Sequence, residues 1–241
     1  MRGAMSKKPI EIRYHFVCDG EADQPVEKHC VVQLDPDTLE TRHPLKPAPP
    51  DWTRLEVKQC DMCPLDLSKH AYCPAALSFV EILQEFGEIL SYRLVNATVT
   101  TGERTVTIRT TAQKALSSLV GLRMATCGCP ILAKFKPMAR FHLPFSSTEE
   151  TVYRAAGAYL LAQYFLRRRG GKADWDLDGL SALYEEIHQV NVQLAERMRT
   201  IPTGDAHLNA LVILDLFTLA LPQSIDENLS EIEHLFAAYF D

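Results

Sequence analysis

The apolar residues of this 241-residue chain recur at every second position in two early stretches, and at every third or fourth position from about residue 111 onward. That change of period sets the fold class, because strands alternate faces at each residue whereas helices repeat at 3.6. In "IEIRYHFVC", Ile10, Ile12, Tyr14, Phe16 and Cys18 fall on one face of an extended segment. "KHCVVQLD" can pair back on it across the turn-rich "DGEADQP", which makes a hairpin. A second hairpin is expected where the β-branched "SYRLVNATVTTGERTVTIRTT" folds about Gly102.

Between the hairpins, Pro44, Pro47, Pro49 and Pro50 forbid a helix and favour an extended connector. "AALSFVEILQEFGEIL" then has helical spacing. Beyond residue 111, five more segments read as helices separated by Gly, Pro or capping residues, the last two being "DAHLNALVILDLFTLAL" and "IDENLSEIEHLFAAYF". The expected class is α+β, with small N-terminal antiparallel hairpins packed on a C-terminal helical bundle. The regions are 1–45 for the first hairpin, 46–58 for the Pro-rich connector, 59–110 for a cysteine segment, helix and second hairpin, and 111–241 for the bundle.

A net charge of -6 repels phosphate backbones and anionic lipid, so nucleic acid and membrane surfaces are not expected partners. The longest nearly apolar run, residues 210–221, contains Asp215 and is too short for a bilayer that needs about 20 residues. "MRGAMSKKPIEIRYHF" lacks the apolar core of a secretory signal. With seven cysteines, an odd number, the expectation is a reducing cytoplasm, where clustered thiols serve metal or redox chemistry.

Those cysteines are the main functional signal. Cys60 and Cys63 form a C-x-x-C pair, and Cys73 follows after nine intervening residues. Cys63, Cys73 and Cys129 each precede proline. For Cys73 and Cys129 this suggests an N-cap followed by proline at the first helical position, where unpaired N–H groups favour thiolate. A tetrahedral zinc or an iron–sulfur cluster needs a fourth ligand, and Cys129 in "TCGCP" is the first choice, with His70, Cys127 and His142 in reserve. Zinc is the expected metal, an iron–sulfur cluster the alternative, and the metal would pin the sheet to the bundle in a structural or binding role. The rival is a thiol-dependent or iron–sulfur redox enzyme in which Cys129 works beside His142. Cysteine is also a common core residue, and Cys18 and Cys30, on strands, are expected to be packing.

Two Glu-x-x-His pairs, Glu185 with His188 and Glu231 with His234, raise a di-iron bundle. Helical phase argues against it, since Glu185 falls about 160° and His188 about 100° from Ile187 on the apolar face. Asn191, about 40° from Ile187, is instead expected to join Asn209 and Asp215 in a polar network inside the bundle. In "FSSTEETVYRA", Ser147 or Thr148 can cap a helix and Glu150 can pair with Arg154.

The stretches "CDMCPL", "YCPAA", "LSSLVGLRMATCGCP", "KPMARFHLPFSSTEETVYRAAGAYLLAQYF" and "DAHLNAL" resemble a family of uncharacterised bacterial proteins, a domain of unknown function. The likeness runs from about residue 59 to 215 and implies a bacterial, cytoplasmic protein with no activity to transfer. The partner stays undetermined, a protein partner and a homo-oligomer both being open.

Overall fold

The computed structural model describes residues 8–19, 26–41, 49–201, 208, 209, 211, 212, 215 and 229–240. Strands β1 (Ile10–Cys18) and β2 (Val26–Leu34) form the first hairpin, and β3 (Leu94–Thr100) and β4 (Thr105–Thr111) the second. Both join one antiparallel sheet in the order β2-β1-β3-β4, because β1 also pairs with β3. Alternation places Ile12, Tyr14, Phe16 and Cys18 on the inner face together with Val95, Ala97 and Val99. The outer face carries Glu11, Arg13, His15 and Val17.

Helix α1 (Pro74–Phe86) and helix α2 (Ala112–Thr126) cover the inner face. Phe86 meets Phe16 edge-on at 5.0 Å, and Tyr14 Oη reaches Ser118 of α2. A short 3-10 turn (Leu132–Phe135) and helix α3 (Lys136–Arg140) lead to the long helices α4 (Thr148–Arg168) and α5 (Asp178–Met198). On α5, Leu180, Leu183, Ile187, Val190, Leu194 and Met198 are all buried, as their spacing predicts. The fold is α+β.

Three expectations need correction. Glu150 does not pair with Arg154. It closes a capping box with Ser147, while Arg154 donates to the carbonyls of Met138 and Phe141. Residues Glu233–Tyr239, within the segment expected as the last helix of the bundle, form a 3-10 helix with no buried side chain. Residues 51–58 are not extended: Asp51–Thr53 form a 3-10 turn that opens a closed loop. Most of the apolar run at 210–221, the first turn at 20–25 and the prolines at 44 and 47 lie outside the described residues.

Candidate metal centre

The loop that carries Cys60 and Cys63 is closed at its base. Leu55 N–H donates to Ala71 O and Cys73 N–H to Thr53 O, and Arg54 and Tyr72 form an antiparallel bridge. Within it, Cys63 N–H donates to Cys60 O at 2.9 Å, the tight turn that a C-x-x-C spacing permits. Arg197, buried at the end of α5, clamps the loop from below. It donates to the carbonyls of Trp52, Arg54, Leu55 and Lys58 at 2.6–3.3 Å.

Cys73 is the N-cap of α1 with Pro74 at the first turn, as the Cys-Pro pair predicts, although its side chain makes no capping bond. Helix α2 ends at Thr126, and Cys127 then bonds Met124 O through its sulfur. Gly128 follows at φ 92°, a left-handed conformation that suits glycine, and a Cβ there would come to 4.0 Å from Pro74. The end of α2 lies beside the start of α1, near enough that Cys73 acts electrostatically on both Cys127 and Cys129.

Cys129 does not match the local design of Cys73. It precedes a four-residue 3-10 turn, not an α-helix, and its sulfur faces the N–H groups of Leu132 and Ile131. Burial raises the Cys129 thiol above its usual range, and those two amides oppose the rise without cancelling it. Burial, and after it the neighbouring Cys73, Cys63 and Cys129, push the Cys60 thiol up to about 11. Such thiols shed their protons when a cation balances the charge, which is how metal binding couples to deprotonation.

The spacing of the sulfurs is wider than a single ion requires. Among the described residues, which include all seven cysteines, no three sulfurs lie within 4.8 Å of one another. Tetrahedral bonds of about 2.3 Å would place them about 3.8 Å apart.

The reserve residues stand elsewhere or differ in kind. His70 is exposed on the loop, with Nδ1 beside Asp66 O. Cys127 has its thiol raised by burial first and by Cys129 next. His142 lies 2.6 Å from Tyr14 Oη and lines a cavity of about 210 Å³ with Ser118, Arg154 and Tyr184. No cysteine is among the residues lining that cavity. Burial, and after it the positive Arg154, lower the His142 imidazole to about 4.

Cys18 and Cys30 are buried in the core, the latter also 3.3 Å from the guanidinium of Arg123, which pairs with Glu81. Asn191 donates to Asp215, two of the residues expected in a polar network inside the bundle, and His188 Nδ1 meets the same carboxylate at 2.9 Å. His234 is exposed and bonds within its own turn. Sequence reasoning missed Arg197, which looks like an ordinary basic residue near a helix end, and missed His15 and His29, whose strand register is the only signal that joins them.

An α+β chain with a clamped cysteine loop beside the junction of two helices is the class defined by these features. The chain belongs to the family described as a domain of unknown function (DUF6901), whose model matches residues 10–237. Among curated proteins and solved structures, nothing matches it. Among the described residues, no helix is long and apolar enough to cross a membrane.

Proposed function

We propose that the chain holds a thiophilic metal through Cys60, Cys63, Cys73 and Cys129, in a structural or binding role that ties the N-terminal loop to the helices. The observation that supports it is that these four thiols lie near enough to act electrostatically on one another, Cys73, Cys63 and Cys129 on Cys60, and Cys73 and Cys63 on Cys129. Zinc is the first candidate because four thiolates make a closed site for it. An iron–sulfur cluster is the second, favoured by the wider sulfur spacing, since several irons span more than one ion does. A thiol enzyme joining Cys129 to His142 draws no support from the geometry, because His142 is engaged with Tyr14.

Elemental analysis of purified protein, with an anaerobic visible spectrum, tests this in wild type and in Cys60→Ser, Cys73→Ser and Cys129→Ser. The expected result is about one metal centre per chain, lost in all three variants and kept in Cys18→Ser. Colourless protein with zinc supports the first candidate, and brown protein with iron and acid-labile sulfide the second. A folded wild type free of metal after anaerobic preparation and reconstitution overturns the proposal.

A further inference from the structure

The outer face of the sheet brings a different set of donors together. His15 stands directly opposite His29 in the β1–β2 register and Val17 opposite Glu27, so residues 15, 27 and 29 share the face turned away from the core. The two imidazole rings stack at 4.3 Å with their planes 5° apart. Their Nε2 atoms lie 3.2 Å (His15) and 3.8 Å (His29) from the same oxygen of Glu27. One donor atom from each residue lies within 4.8 Å of the other two, and among the described residues no other trio of His, Cys, Asp or Glu meets that condition.

These distances suit one ion. Nitrogen and oxygen donors bonded at about 2.1 Å to a tetrahedral metal stand about 3.4 Å apart, and the two observed nitrogen–oxygen separations bracket that value. Burial does not call for the arrangement, since His29 and Glu27 are exposed and His15 is half-exposed. Both Nε2 atoms converge on one carboxylate oxygen: in the Nε2–H tautomer each ring can donate to it, and in the Nδ1–H tautomer both lone pairs point to the same place, where a cation can sit. In the second tautomer a dication would take two neutral nitrogens and one carboxylate oxygen as ligands. Imidazole suits borderline metals, whereas Mg²⁺ and Ca²⁺ prefer oxygen alone.

We propose that His15, Glu27 and His29 form a surface site for a borderline divalent cation, of the class of Zn²⁺, Ni²⁺ and Cu²⁺, with coordination positions open to solvent. The scaffold is suited to it, because a paired hairpin fixes all three residues by register and asks only side-chain rotation of them. The open positions would take water or a donor group from a second molecule. This site is separate from the cysteines in sequence and in place.

Calorimetric titration of the full chain with Ni²⁺ tests it, in wild type, His15→Gln, His29→Gln, Glu27→Gln and Cys60→Ser. The expected result is one equivalent that persists in Cys60→Ser and in excess Mg²⁺. Each histidine variant should weaken it by about tenfold or more, since even an outer-sphere change costs about that much. The histidines are on the surface, and circular dichroism of each variant confirms the fold. Superimposable isotherms for wild type and both histidine variants, or loss of the equivalent in Cys60→Ser alone, overturn the site. The first result leaves the cysteine centre untouched, the second would assign the nickel to the cysteines, and that centre has its own test in the metal content of the purified protein.

Discussion

His142 spends its folded life neutral, with its pKa lowered from 6.5 to about 4 by burial first and Arg154 second. The unfolded chain therefore binds a proton between those values that the folded chain does not, and stability must fall as pH drops from about 6.5 to 4. A gap of that size corresponds to about 3 kcal/mol. Urea denaturation at pH 7 and pH 4.5 should show a loss of that order attributable to this residue, and His142→Gln should flatten the dependence. Arg197 is the opposite case, a charge that is always present and is satisfied by four carbonyls. Arg197→Met keeps the bulk and strands those acceptors, at an expected cost of about 3 kcal/mol in urea denaturation. The same variant should speed alkylation of Cys60, because the loop loses its clamp; an unchanged rate would mean that the main-chain bonds at 53–55 and 71–73 suffice. Neither environment was legible in the sequence. A lone histidine after "ARF" and an arginine in "AERMR" carry no mark of the residues about 130 to 145 positions away that surround them.

Among the elements, those whose cause is local were readable. Ser147 and Glu150 form the reciprocal cap that "SSTEE" spells out, with Glu150 N–H donating to Ser147 Oγ at 3.1 Å and Ser147 N–H to the Glu150 carboxylate at 2.7 Å. Ser147→Ala should cost about 1 kcal/mol, measured by thermal or urea denaturation, and Ser147→Asp should recover most of it. Helix α1 behind Cys73-Pro74, the strands on either side of Gly102 and the buried stripe of α5 follow from spacing and capping alone. The segments that escaped are held from outside. The end of the 46–58 connector reads as extended until Arg197 and the bonds across the loop base are seen, and Cys129-Pro130 looks like a helix cap although only a 3-10 turn follows. A Cys-Pro pair specifies the backbone of one residue; the helix after it must come from the apolar period, which "ILAKFKPMAR" interrupts with Pro137.

At the level of the molecule, α+β architecture followed from the order of periods, but the sheet did not. Two hairpins were evident, whereas the pairing of β1 with β3 joins residues about 80 apart and has no local signature. The register of the first hairpin, a separate pairing, sets His15 beside His29, so the hairpin was readable while the residue-by-residue match that makes the candidate cation site was not. The cysteine loop depends on still longer contacts, because its clamp comes from residue 197. That has a consequence for the life of the chain on the ribosome. Domains assemble as their parts emerge, N-terminal portions first. Cys60 and Cys63 leave the exit tunnel long before α5 does, and until that helix arrives their loop lacks the contact that shapes it. Loading of the proposed metal would then be a late maturation step, with the loop thiols reachable until α5 has emerged.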